Sequence, residues 1–319
     1  MKKACIVFIV AVLLVLPQSL YAINAVASIK ASYGDVKVLR QNRPIAGRKG
    51  LVLNDGDIVT TEKSAKVTIL FRDGSLIRLY QNTKFTIEQS VENDGTHRGF
   101  RNRFKLLLGS LWGKFTKNRQ QTVIKTPTAT CGIKGTSVAL AQKGTTLDVS
   151  LSTGLVELEN EDEKIYLKPG KMIKGITNRG SFKDKIKNIP YRILIKPDRK
   201  KIDLPTTGNK GEVSFTLQVI DVKSKLNVSK AARVLIAVPS DKIEFPEFIR
   251  LNSRGYRRVT ALIKPFQKAD YGNGQIEITA VAEDERNMDI GTGQTVLTFD
   301  IPKKNPRVLR IDANSGTIK

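Results

Sequence analysis

The chain has 319 residues, with 54 Lys plus Arg against 30 Asp plus Glu and a formal net charge of +24 at pH 7. That length suggests about two domains, and the positive excess attracts anionic surfaces with a reach of about 8 Å at physiological salt. One histidine and two cysteines leave a Cys–His pair and a His-based zinc site without support.

The amino terminus fixes the expected compartment. Lys2 and Lys3 precede an unbroken apolar run from Ala4 to Leu16, which Pro17, Gln18 and Ser19 break ahead of Ala22. This is the layout of a secretory signal peptide, and the run is shorter than the roughly 20 residues of a spanning helix. Residues 1–22 are therefore read as a signal peptide cleaved after Ala22, with cleavage after Ala27 as the alternative. An uncleaved anchor is the competing reading. The expected location is exported, periplasmic or associated with the cell envelope. Export disfavours nucleic acid as a partner and leaves anionic lipid, acidic polysaccharide or an acidic protein. Cys5 departs with the leader, so Cys131 is alone in the mature chain. It is read as a small buried hydrophobe in a strand.

From residue 26 to 180 the pattern is that of strands. Val36 and Val38 flank Lys37, Val67, Ile69 and Phe71 share a face, and Phe85 with Ile87 and then Leu147, Val149 and Leu151 repeat the alternation. Turn signals separate the runs: Gly34-Asp35, Asn54-Asp55-Gly56-Asp57, Asp73-Gly74-Ser75, Lys134-Gly135-Thr136, Ser152-Thr153-Gly154 and Lys168-Pro169-Gly170. The segment Lys105 to Lys117 looks like a basic amphipathic helix, but Gly109 and Gly113 each cost a helix about 1 kcal/mol. Two short strands about a glycine turn are expected instead. Glu92 to Arg103 reads as a polar surface loop.

Residues 181–210 gather lysine and arginine with Pro190, Pro197 and Pro205, and read as a basic linker with a strand-like piece at Tyr191 to Ile195. A second all-β pattern fills 211–302. Val213, Phe215, Leu217 and Val219 open it, and Leu297 with Phe299 close it. Five to seven strands in that length fit an immunoglobulin-like β-sandwich that lacks the Cys-Trp-Cys arrangement. Residues 303–319 form a basic tail.

Few motifs carry chemistry. Ser-His-Asp catalysis would rest on His97 alone, in a polar loop. Asn54-Asp55-Gly56-Asp57 resembles part of a calcium loop, but no acidic residue follows at the required spacing, so a turn is expected. The remaining candidate is a surface for an anionic partner: Arg98, Arg101, Arg103 and Lys105 with Phe100 and Phe104 interleaved, then Lys114, Lys117 and Arg119. A solvated loop in a basic protein is the plainer reading.

The turn motifs of residues 31–176 resemble the FecR domain family. They run in order as Gly34-Asp35-Val36, Gly56-Asp57-Ile58-Val59-Thr60-Thr61 and Val67 to Ser75. Gly109, Thr126-Pro127-Thr128-Ala129, Gly135-Thr136, Gly154-Leu155-Val156 and Leu167-Lys168-Pro169-Gly170 follow. The family usually has a small or apolar residue near Cys131, a mild departure here. The resemblance implies an all-β, solenoid-like β-roll and a non-enzymatic role in the envelope. Family namesakes span the inner membrane and hold a sigma factor through a cytoplasmic segment. Only Met1 to Lys3 precede the apolar run, so that role is not expected here. The stretch Leu251 to Val259 resembles a bacterial immunoglobulin-like module. The chain is thus expected to be a secreted binding or scaffolding protein without cofactor, metal or small-molecule substrate. A FecR-type transmembrane signalling receptor is the alternative. The sequence leaves the ligand and the oligomeric state open.

Overall fold

A computed structural model of the protein describes residues 25–93, 99–116, 122–205, 209–228, 233–240, 242–246, 249–267, 270, 272–284 and 288–301. The expected signal peptide and the basic tail lie outside these residues. The described chain is nearly all-β, with a 3-10 turn at Lys183–Lys185. Among the described residues, no helix is long and apolar enough to cross a membrane.

Fifteen strands form the first unit: β1 (Ala25–Tyr33), β2 (Val36–Arg40), β3 (Arg43–Ala46), β4 (Val52–Asn54), β5 (Ile58–Thr61), β6 (Lys66–Phe71), β7 (Leu76–Leu79), β8 (Thr83–Asn93), β9 (Gly99–Lys114), β10 (Thr122–Lys125), β11 (Thr130–Lys143), β12 (Thr146–Glu159), β13 (Lys164–Leu167), β14 (Lys171–Ile176) and β15 (Ile186–Asn188). They make one wrapped sheet. The long strand β9 pairs with β8, β7, β10 and β11 at different points along its length, so it joins the β7-β6-β1-β4 and β8-β5-β2-β3 arms to β10 and β11. The inward residues of successive strands, such as Ile69, Phe85, Leu106, Val149 and Leu158, are fully buried in one core. Alternate residues point outward, as the two-residue period of a strand requires.

Two groups of expected turns are bends within strands. Gly109 has φ +89°, yet β9 runs on through it. A Cβ there would lie 2.3 Å from Thr83 Oγ1. The glycine lets β8 and β9 close up where their register shifts between Lys84 and Phe85. Gly113 is also mid-strand, where a Cβ would meet the Phe115 ring at 2.3 Å. The segment from Lys105 is therefore one strand and not two. Gly135 and Gly154 likewise sit inside β11 and β12. These stay paired across them with an irregular register, and a Cβ on Gly154 would lie 2.3 Å from the Gly135 carbonyl oxygen. Glycine marks close backbone approach at these positions. The sequence near Glu92 is also strand: β8 continues to Asn93 and β9 starts at Gly99.

The second unit has seven strands: β16 (Tyr191–Pro197), β17 (Gly211–Asp221), β18 (Arg233–Ala237), β19 (Ile243–Glu244), β20 (Tyr256–Ile263), β21 (Gln275–Glu283) and β22 (Asp289–Thr298). Their order is β18-β21-β22-β16-β17-β20-β19. One half holds β16, β17, β20 and β19, and the other holds β18, β21 and β22. A parallel contact of β16 with β22 joins them. The unit thus divides four strands against three. A separate core of Phe215, Leu217, Val219, Ala261, Ile278 and Leu297 fills it.

The expected linker at 181–210 is mostly built into the two units. Phe182 is buried in the first core, β15 pairs with β14, and β16 pairs with β17. The strand-like piece expected at Tyr191 to Ile195 is β16, in which Ile193 and Ile195 point inward while Arg192 and Lys196 point out.

Candidate functional site

The structure divides the expected anionic-partner surface. Arg98, Lys117 and Arg119 lie outside the described residues. Phe100 and Arg101 are placed on β9, and their side chains are outside the description. Phe104 is not on the surface. It is fully buried, with ring centroids 5.0 Å from Phe71 and 5.3 Å from Phe85. It falls on the inward phase of β9, where aromatic packing outweighs any role in stacking on a ligand. Lys114 faces the second unit, and its Nζ donates to Glu277 Oε1 at 2.5 Å and Thr279 Oγ1 at 2.7 Å.

Arg103 and Lys105 remain, on the outward phase of β9, and both are exposed. The parallel strand β10 adds a third cation that the sequence reading missed. Lys125 is the register partner of Lys105, and Arg103 stands one outward step away opposite Val123. Among the described residues none of the three has an ion-pair partner. Lys84 and Lys134 are also exposed on β8 and β11, the strands that flank this pair, and Leu108 and Leu155 add exposed apolar surface. The signal for Lys125 was available in the alternation Thr122-Val123-Ile124-Lys125. Its parallel pairing with β9 is a tertiary fact that no local pattern reports.

The turn at Asn54-Asp55-Gly56-Asp57 is a structural clamp. The Asp57 carboxylate is buried and accepts from Arg40 Nε at 2.9 Å, from Arg40 Nη2 at 2.7 Å and from the Asn54 amide at 2.9 Å. Its oxygens are committed to protein donors. Among the described residues no group of three or more His, Cys, Asp or Glu could hold a metal ion. Cys131 is fully buried in β11, and burial pushes its thiol up to about 12, far from nucleophilic use at neutral pH. His97 lies outside the described residues.

A second feature went unseen in the sequence: the two units are docked through a mixed interface. Tyr80, Trp112, Ala139 and Ala141 of the first pack on Leu235, Ala237, Val281 and Met288 of the second. Cations of the first unit meet acceptors of the second. Lys30 Nζ donates to the carbonyls of Val238 and Ser240, Lys49 faces Glu244, Lys114 faces Glu277 and Lys174 faces Asp284. Two buried carboxyl groups lie in the same interface. Tyr80 donates its hydroxyl to Glu283, and burial pushes that carboxyl up to about 7 against the pull of Arg78 and Lys66. Ser152 donates to Asp289, and burial pushes that carboxyl up to about 6 in spite of hydrogen bonds from Ser152, Thr292 and the Gly291 amide.

Residues 57–157 match the family described as FecR protein. Two crystal structures of a candidate anti-sigma factor from Parabacteroides distasonis are among the solved structures similar to this chain. They have 17% and 16% identity and TM-scores of 0.35 and 0.34, and in each case the match covers 41% of this chain and 59% of the other. The chain thus spans about three fifths of the length of those structures. No curated protein matches it.

Proposed function

We propose that this chain, which carries a FecR domain over residues 57–157, is an exported, non-enzymatic envelope protein that binds or scaffolds an anionic polymer or an acidic envelope protein. The observation that carries the reading is the register pairing of Lys105 with Lys125 beside Arg103 on an exposed sheet face. Like charges set directly opposite on neighbouring strands repel. An acidic partner laid across the face removes that repulsion and gains contact with all three cations. The field of a basic face also speeds encounter with an acidic partner. The buried, high-pKa thiol of Cys131 and the protein-clamped carboxylate of Asp57 support a role without bond chemistry.

The test is retention of the mature chain on phosphatidylglycerol vesicles and on acidic polysaccharide beads across a salt series. Retention at low ionic strength should be lost near 1 M salt, where the Debye length falls to about 3 Å. Equal retention at both ends of the series contradicts the proposal.

A second reading is a FecR-type regulatory receptor held in the membrane by an uncleaved first segment. The apolar run from Ala4 to Leu16 together with the FecR match favours it. Amino-terminal sequencing of the envelope form separates the two, because a start at Ile23 or Ser28 removes the anchor.

A further inference from the structure

Between β1, β6 and β7 and the docked second unit lies a cleft of about 560 Å³. That lies within the range of roughly 300–1,000 Å³ of small-molecule sites, which favour domain boundaries. Leu70, Leu235 and Phe245 supply apolar wall. Trp112 also lines the cleft. It is 1% exposed, and its indole N–H has no acceptor among the described residues. A buried donor left unpaired costs about 1–3 kcal/mol, so the site is short of one acceptor.

The charges at the rim give the sign of that acceptor. Lys49 and Lys264 share the single carboxylate of Glu244. The rim is therefore net positive. We infer that the cleft between the two units binds a small amphiphilic carboxylate. Its headgroup accepts from the Trp112 indole N–H in the field of the rim lysines, and its hydrocarbon body lies against Leu70, Leu235 and Phe245. This site is separate from the outer face of β9 and β10 and goes beyond the function proposed above.

Trp112 is the sole tryptophan of the chain, so its fluorescence reports the site without a label. Decanoate, titrated below its micelle concentration into the mature protein, should change Trp112 emission saturably. Decanol, which has the body without the charge, should bind about tenfold more weakly, and acetate should not saturate. By calorimetry, Trp112→Phe keeps the apolar wall and removes the donor, and should weaken decanoate about tenfold or more, the worth of a hydrogen bond to a charged group. Ser28→Phe, at a half-buried β1 position lining the cleft, should block binding while leaving the unfolding transition cooperative. Unchanged Trp112 emission with decanoate, equal affinity for decanol, or full affinity in folded Ser28→Phe overturns the inference. None of these outcomes bears on retention by anionic polymer, so the two proposals fail independently.

Discussion

At the residue scale, the Asn54-to-Asp57 turn shows how a carboxylate is used. Asp57 sits in a turn that looks half like a calcium loop, and the structure commits its carboxylate to Arg40 and the Asn54 amide. Replacing it with alanine removes the carboxylate from a half-buried guanidinium, which keeps its bond to the Val52 carbonyl, and leaves the Asn54 amide without this acceptor. Asp57→Ala should cost about 2–3 kcal/mol, less than the extreme for a fully buried pair because Arg40 keeps some contact with water. The urea midpoint of the variant measures this. Cys131 was legible from its small neighbours as a buried residue. With the thiol pushed up to about 12 by burial, a thiol reagent at pH 8 should label it only after denaturation. Rapid labelling of the native protein would contradict its burial. Phe104 was misjudged because its cationic neighbours suggested surface. The alternation Phe104, Leu106 against Arg103, Lys105 holds the correct answer, with the apolar phase turned in.

At the element scale, all-β character and most strand positions could be read from period-two alternation, because each sheet buries one face. What local pattern could not separate was a glycine in a turn from a glycine in a bulge, since both need positive φ. Gly74 makes a hairpin turn between β6 and β7, whereas Gly109 at φ +89° bends a continuous strand. Gly109→Ala puts a Cβ against Thr83 in a conformation that L residues avoid, and should cost about 2–3 kcal/mol or more in thermal or urea unfolding. Gly144→Ala, also at positive φ but with open space about it, should cost less. The strand-like piece expected at Tyr191 to Ile195 is β16: its outward positions, Arg192 and Lys196, are free to be charged, and the inward ones, Ile193 and Ile195, record the strand.

At the scale of the whole molecule, the docking of the two units was invisible in the sequence, because it joins residues more than a hundred positions apart. Buried carboxyls there make the docking sensitive to pH. The pKa values of Glu283 and Asp289 are raised to about 7 and about 6 in the folded chain. The folded state therefore binds protons that the unfolded chain releases in this range, and stability falls as pH rises. Their contribution is complete below the ordinary carboxylate range and is lost as pH passes through about 6 and then about 7. Glu157 and Glu244, whose pKa values are lowered by lysines, act in the opposite sense and only below that range. The melting temperature should thus decline from pH 5 to pH 8, and Glu283→Gln should flatten the upper part of the decline. A melting temperature that rises across this window would contradict it.

The same interface explains how the positive charge of the first unit is shared out. Lys114 and its neighbours on the docking face hold the second unit, while Arg103, Lys105 and Lys125 face water on another part of the roll. The most direct test of this division compares two variants for stability and for retention on anionic vesicles at low salt. Arg103→Ala/Lys105→Ala/Lys125→Ala should lose most retention and unfold at the parent's urea midpoint. Lys114→Ala should lower that midpoint and leave retention of the folded protein intact. Parental retention in the triple variant would contradict the central claim that this exposed face is where the protein meets its partner.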